Sequence, residues 1–244
     1  MFRLGFLALT LCVTLLPQSA LSGAWKRPVG TGFAATSFAL RNTDQGLKSE
    51  FGYYRDFGLN SRLDLGIDLN HTVSQSGHAL LFARLPLQQR PDATRFATEL
   101  ALGGNHSQGI WQPMYRLTLS AGRSYPTRQG DIWGSFDLIY EKRGDAENAL
   151  WKLDGSFGMN TGRRLSPLLQ IETAFGNGTD FSYAITPSLR IKLSGLSLPA
   201  QKVFETSELV IGVEYRQAET QSLGLKIALW QRIEPYSCKP ISVT

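Results

Sequence analysis

The stretch that decides the fold is residues 61–72, which read Ser-Arg-Leu-Asp-Leu-Gly-Ile-Asp-Leu-Asn-His-Thr. Apolar side chains fall on every second residue, at Leu63, Leu65, Ile67 and Leu69, and charged, amide or glycine residues stand between them. Successive side chains of a β-strand point to opposite faces, so this pattern predicts a strand with one apolar and one polar face. A helix would distribute the same apolar residues around its circumference.

The same alternation recurs along the chain and predicts about twelve strands between residues 31 and 233. Clear examples are residues 114–123, 149–160 and 222–232. Residues 78–87 are apolar on both faces and contain Pro86, which lacks an amide donor, so we expect an irregular strand there. No linker or composition shift divides the chain, and 244 residues suit a single all-β domain.

Residues 1–22 have the pattern of a secretory leader. Arg3 precedes a short apolar run at residues 4–16, and Ala20 and Ser22 occupy the −3 and −1 positions before Gly23. Cleavage after Ala24 is a close alternative. The run is shorter than the ~18 apolar residues that a membrane-spanning helix needs. We therefore expect export, a cleaved signal peptide at 1–22, and a β-barrel domain at 23–244 that ends in a short tail, residues 234–244.

The composition excludes several classes of protein. Charged residues make up 18% of the chain and glycines number 24, which fits neither a disordered chain nor a helical bundle. The net charge of +5 is dispersed along the chain rather than clustered, so a nucleic-acid partner is not expected. Removal of the leader leaves Cys238 as the single cysteine, which cannot form an internal disulfide.

A soluble sandwich or lipocalin would show the same alternation with its apolar face turned inward. Three features favour a membrane barrel instead. The predicted strands have about 9–12 residues, the length that a tilted strand needs to cross a bilayer. The polar face is rich in small residues, such as Gly66, Ser120, Gly122 and Gly158, which suit a crowded lumen. Aromatic residues gather near strand ends, as interfacial girdles do: Tyr53, Phe57, Tyr115, Tyr140, Trp151, Phe175, Tyr183, Tyr215 and Trp230.

One segment carries a more specific signal. Residues 222–229 read Ser-Leu-Gly-Leu-Lys-Ile-Ala-Leu, which is similar to the polar-x-Gly-x-x-apolar-x-apolar signal that marks barrels for insertion. With the leader and the amphipathic strands of residues 23–233, the chain resembles bacterial outer-membrane β-barrel proteins. The resemblance implies a closed antiparallel transmembrane barrel in the cell outer membrane, contact with outer-membrane lipid, and insertion by the barrel-assembly machinery. Residues 234–244 depart from the family pattern, because typical members end at an aromatic residue of the last strand.

Charged residues on the predicted inward faces are the candidate functional residues, because opposed acidic and basic walls set the selectivity of a porin. The lumen-lining candidates are Asp64, Asp68, Arg116, Asp137, Lys152, Asp154, Arg190, Lys192 and Lys226. A closed sheet of twelve strands is wider than the eight-stranded barrels that side chains fill, so we expect some space for water. The connections between strands show no obvious plug. We therefore expect a narrow channel for small polar or charged solutes.

The alternatives are a non-conducting structural barrel, a soluble secreted all-β binding protein, and a barrel that hydrolyses lipids. The histidines of the mature chain, His71, His78 and His106, are predicted to be exposed in loops, and none forms a convincing set with serine and asparagine. The sequence has no metal-ligand spacing and no glycine loop that would hold a phosphate. It therefore predicts no metal or cofactor and does not favour an enzyme.

Overall fold

The computed structural model describes residues 23–44, 46–73, 76–90, 92–144, 146–194 and 206–235. The predicted leader, most of the predicted tail and Cys238 lie outside the described residues. The described chain forms a closed antiparallel barrel of twelve strands. These are β1 (Gly32–Thr43), β2 (Gly46–Asn60), β3 (Leu63–Thr72), β4 (Ser76–Gln88), β5 (Arg95–Ser107), β6 (Ile110–Thr127), β7 (Gly130–Arg143), β8 (Leu150–Asn160), β9 (Leu165–Gly176), β10 (Thr179–Lys192), β11 (Ser207–Gln217) and β12 (Gln221–Ile233). Within the described residues, no helix is long and apolar enough to span a bilayer.

Each strand pairs with the next along the chain, and β1 pairs with β12 to close the sheet. This last pairing runs from Gly32 opposite Ile233 to Asn42 opposite Leu223. The predicted twelve-stranded barrel is therefore confirmed. The irregularity expected at Pro86 is also present, because the register between β4 and β5 shifts there. We call the end of the barrel that holds Gly32 and Ile233 the terminal end, and the opposite end the distal end.

The barrel is apolar outside and polar inside. On β4, β6 and β8, Leu81, Leu119 and Leu153 point outward and are 68%, 49% and 46% exposed. The inward faces carry buried charged residues, among them Asp56 and Glu141. A soluble all-β fold would bury its leucines inside, so the structure contradicts the soluble alternative.

Outward aromatic side chains form a girdle near the distal end, as predicted. The ring of Tyr140 lies 6.3 Å from that of Tyr115 and 5.0 Å from that of Trp151. The prediction was wrong for Trp230, which points into the lumen, is 9% exposed and packs on Phe33 at 6.1 Å. Trp230 follows Lys226 and Ala228 at two-residue steps, so it shares their inward face.

Residues 23–30 precede β1 at the terminal end, with residues 23–27 inside the barrel and Pro28 and Val29 exposed at its mouth, and we call them the plug segment. Its Trp25 is 2% exposed and meets the inward Trp133 edge to face, with ring centres 6.5 Å apart. Its first residue, Gly23, reaches Ser120 near the middle of β6. The expectation that nothing plugs the lumen was wrong, because it considered only the connections between strands.

We predict that Leu119→Arg lowers the free energy of unfolding by about 2–4 kcal/mol, because it places a charge on the outer face at mid-strand. The control Gln129→Arg, in the turn between β6 and β7, should cost at most about 1 kcal/mol. Urea unfolding in lipid vesicles measures both values. Equal costs for the two variants would contradict a hydrocarbon environment around Leu119.

Candidate functional site: the charged lumen

The predicted lumen-lining residues all lie on the inward faces of their strands, at different depths. Asp68, Arg116, Asp137 and Asp154 line one cavity of about 310 Å³ near the middle of the barrel. Asp64 lies nearer the terminal end, where it contacts the plug segment. The others are distributed towards the two ends: Arg190 and Lys192 at the terminal end, and Lys152 and Lys226 towards the distal end. Their role in binding a solute stays a prediction.

Arg116 is the central cation of the cavity. Its guanidinium lies 2.7 Å from Asp68 Oδ2 and 3.6 Å from Glu99 Oε1. Arg116 belongs to β6 and Asp68 to β3, so this ion pair spans the two strands between them. His78 Nε2 lies 3.4 Å from the same Asp68 carboxylate. The prediction that His78 is an exposed loop residue was wrong, since β4 begins at Ser76 and turns His78 inward.

Arg84 organises the terminal half of the lumen. Its side chain, 3% exposed, lies 3.1 Å from Asp56 and 2.7 Å from Glu99, and it donates to Tyr54 Oη as well. Asp56 is fully buried and also receives a hydrogen bond from the hydroxyl of Tyr54 at 3.2 Å. Sequence reasoning missed Arg84 because β4 is apolar on both faces. Its inward position could have been inferred from its two-residue spacing from Leu80 and Phe82, which are also buried.

The distal half of the lumen is crossed by a second network of charges. Glu172 of β9 pairs with Arg216 of β11 at 3.0 Å and with Lys226 of β12 at 3.2 Å. Glu214 pairs with Arg216 at 3.1 Å and with Arg41 of β1. The pairs of Glu172 and the pair of Glu214 with Arg41 join strands that are not neighbours in the sheet, so these side chains narrow the lumen and balance its charges.

Two further candidates are held in ion pairs near the ends of the lumen. Lys152 Nζ lies 2.8 Å from the fully buried carboxylate of Glu141. Arg190 lies 3.3 Å from Glu208, and its guanidinium is 5.7 Å and 5.9 Å from the ring centres of Trp133 and Trp230. Because these contacts hold the side chains of Lys152 and Arg190 in place, both act as fixed parts of the lumen wall. Lys192 lies at the terminal rim, next to Glu208.

Asp137 and Asp154 form the acidic side of the central cavity. They are directly opposite one another on β7 and β8. Asp154 Oδ1 accepts a hydrogen bond from the amide of Thr173 at 3.2 Å. Asp137 Oδ1 is inaccessible to solvent and has no hydrogen-bond partner within the described parts of the chain. Neither carboxyl group has a salt bridge to a described residue, so this wall presents carboxyl oxygens without a cation partner to the cavity.

The plug segment is bound to the wall by its own cations. Lys26 pairs with Asp64, and Arg27 Nε lies 2.7 Å from Asp56 Oδ1. Gln89, in the connection between β4 and β5, accepts from the Lys26 amide at 3.1 Å and donates to the Ala24 carbonyl at 2.9 Å. These contacts fix the segment against the inner faces of β2 and β3.

Glycines in the wall make room for the plug segment. A Cβ on Gly122 of β6 would come within 2.4 Å of the Trp25 ring. A Cβ on Gly58 of β2 would come within 2.4 Å of the Pro28 carbonyl oxygen. The predicted role of small inward residues in a crowded lumen therefore has a concrete form here, since Gly122 leaves the space that Trp25 fills.

The histidines of the described chain lie on three different strands. Among the described residues, no cluster of histidine, cysteine, aspartate and glutamate could hold a metal ion. His71 and His106 were predicted to lie in loops, but they lie in β3 and β5. Their rings stack, with centres 5.5 Å apart. What the lumen offers is a small cavity between charged walls, which can hold water and a small polar solute.

Comparisons with known proteins support the fold. The chain is similar to the NanC porin, with a TM-score of 0.56 and 8% identity over 81% of this chain and 98% of that one. It is similar to an outer-membrane channel from Pseudomonas putida F1, with a TM-score of 0.54 and 10% identity over 88% and 100%. It is also similar to the KdgM porin in complex with disordered oligogalacturonate, with a TM-score of 0.52 and 10% identity over 82% of this chain and 98% of that one. The chain therefore has the fold of bacterial outer-membrane porins. Comparison with protein-family models found no match, and comparison with curated proteins found none.

We predict that Arg84→Met lowers the free energy of unfolding by about 3 kcal/mol, because it leaves the buried carboxylate of Glu99 without its nearest cation. The control Arg143→Met removes a partly exposed cation from Glu141, which keeps Lys152, and should cost about 0–1 kcal/mol. The double variant Arg84→Met/Glu99→Gln should recover part of the loss. Unfolding in urea tests the series, and a free energy unchanged by Arg84→Met would contradict the organising role of Arg84.

Proposed function

We propose that the protein is a narrow channel of the bacterial outer membrane for small polar or charged solutes. The observation that carries the proposal is the combination of an apolar outer wall with a charged lumen that encloses a cavity of about 310 Å³. The apolar outer wall is compatible with lipid hydrocarbon, and the charged lumen is compatible with a dissolved polar solute. A porin of the same fold was studied with oligogalacturonate, a polar solute, which supports this class of cargo.

The distal mouth supports the same function. A vestibule of about 630 Å³ opens there between polar and charged side chains that include Arg41, Lys48 and Asp180. The connections at this end are short, so the vestibule is lined mainly by strand ends. A solute that enters it next meets the network of Glu172, Glu214 and their cations. We propose that this network, rather than a long loop, narrows the channel on this side.

Two segments of the sequence support export and insertion. We propose that residues 1–22 are removed as a signal peptide and that the mature chain begins at Gly23, whose place beside Ser120 makes it part of the barrel. The insertion-signal segment, residues 222–229, lies within β12, which closes the barrel on β1. Its position supports recognition by the barrel-assembly machinery.

We predict that the purified protein forms channels of small conductance in planar bilayers, because the plug segment and the ion pairs leave a restricted path. Displacement of the plug segment by Gly122→Val should raise the conductance, since the added side chain meets the Trp25 ring. If folded protein conducts neither with the native sequence nor as Gly122→Val, the non-conducting structural barrel is the correct function.

We further predict that charges of the central cavity set ion preference. Arg116→Gln removes a cation from the wall, so the reversal potential should shift towards cation selectivity. Asp154→Asn removes an anion and should shift it in the opposite direction. The control Arg62→Gln lies in the exposed turn between β2 and β3 and should leave the reversal potential unchanged at about 1 M salt, where charges are screened beyond ~3 Å. Identical reversal potentials for Arg116→Gln and Asp154→Asn would contradict passage through this cavity.

A further inference from the structure

Without the plug segment, two buried carboxylates in the wall of the terminal half would each lose a cation. The Asp64 side chain is fully buried, and within the described part of the chain its salt bridge is with Lys26 of the segment. Asp56 is also fully buried and shares its charge between Arg27 of the segment and Arg84 of the wall. A buried carboxylate that loses its cation is strongly destabilising, so the strands form a site that needs a positive group.

The charges of the surrounding strands point the same way. Among the described residues of the terminal half and the central cavity, the strand cations that form salt bridges with the carboxylates of β2 to β8 are Arg84 and Arg116. The facing carboxylates outnumber them: Asp56, Asp64, Asp68, Glu99, Asp137 and Asp154. The plug segment supplies two more cations, Lys26 and Arg27, at the positions of Asp64 and Asp56. Asp137 Oδ1 still has no described partner even with the segment in place.

No strand pairing joins the plug segment to the sheet, because residues 23–31 are not part of it. Apart from its ion pairs, the segment is held by the packing of Trp25 on Trp133 and by the Arg27 amide, which donates to Asp64 Oδ2 at 3.2 Å. It also forms hydrogen bonds with Gln89, and its Gly30 amide donates to the Gly58 carbonyl at 2.9 Å. Its withdrawal would expose the acidic wall without breaking the pairing of any two strands.

We propose that the plug segment is a tethered ligand, and that Asp56 and Asp64 form a binding site for a small organic dication that carries amino or guanidino groups. Lys26 supplies an ammonium and Arg27 a guanidinium, so the segment itself displays the chemistry that the site accepts. The dication competes with the segment for the same carboxylates. This inference rests on the proposed channel function, because it names the class of solute that the lumen takes.

The position of the segment is tested by labelling a cysteine inside it. Ala24→Cys, in a chain that also carries Cys238→Ser, places a thiol at a fully buried position. Addition of Lys26→Gln and Arg27→Gln should raise the rate of reaction with a water-soluble maleimide at least about tenfold, since both ion pairs are lost. The matched control is Lys142→Gln/Arg143→Gln, which removes the same two charges at the distal end of β7 and should leave the rate unchanged.

The binding site is tested with the dipeptide amide of lysine and arginine, acetylated at its amino group. Folded Lys26→Gln/Arg27→Gln protein should bind this dication at least about tenfold more tightly than native protein, as measured by calorimetry, because the tethered competitor is gone. Addition of Asp64→Asn should abolish the gain. The acetylated amide of two glutamines, which is uncharged, should bind neither protein.

The outcomes separate the inference from the channel function. Faster labelling and tighter dication binding without conductance would support the inference and overturn the channel. Conductance with equal dication binding by native and Gln-substituted protein would overturn the inference and leave the channel. If the Gln-substituted protein does not fold, Lys26→Gln/Asp64→Asn removes one ion pair without leaving a bare carboxylate. In that variant, an unchanged labelling rate at Ala24→Cys would overturn the inference, and a faster rate would support it.

Discussion

Hydrocarbon offers no hydrogen-bond partner to a peptide group, and this constraint determines the rest of the structure. A sheet that crosses a membrane must pair every strand on both sides, which only a closed barrel achieves. The pairing of β1 with β12, from Gly32 opposite Ile233 onward, removes the last free edge. Closure also fixes register, and a slip of one residue would exchange the outward leucines for the inward charges. The position of every charged side chain therefore depends on this pairing.

The interior of the barrel is stabilised differently from the core of a soluble domain. Long side chains reach over intervening strands to pair, as Arg116 does with Asp68 and Lys226 with Glu172. Aromatic rings fill the terminal end, where Trp25 of the plug segment packs on Trp133 of the wall. Polar and apolar groups thus share the lumen, and cations such as Arg84 and Arg116 lie where the strands place carboxylates.

The sequence predicted the barrel well because alternation is a local property of each strand. The stretch that became β3 shows this, since its apolar residues face outward and Asp64 and Asp68 face inward as expected. Trp230 was misplaced because it was assigned by its nearness to a strand end, whereas its two-residue spacing from Lys226 and Ala228 indicates the inward face. His106 was misplaced because β5 extends to Ser107, beyond the end of the predicted strand. His71 and His78 stand at the ends of predicted strands and were assigned to the connection between them, although β3 and β4 include them.

The plug segment could not be predicted in the same way. Residues 23–30 have no periodic pattern, and their place depends on space that distant strands leave, such as the gap above Gly122. The partners of Lys26 and Arg27 lie on β3 and β2, and pairing across such a distance is not a local property of the sequence. The sequence therefore predicted the residues that the strands contribute to the candidate site. It did not predict those that the plug segment contributes, Lys26 and Arg27.

The covalent link between the plug segment and β1 has a consequence for how the barrel responds. A group on a short flexible tether acts on its target at an effective concentration on the order of millimolar. Lys26 and Arg27 therefore act on their carboxylates at this effective concentration, whatever the composition of the surrounding solution. Under the proposed competition, a solute must displace this built-in supply, so a higher solute concentration is needed to half-fill the site, although binding stays graded. Such competition needs no energy source and no second protein.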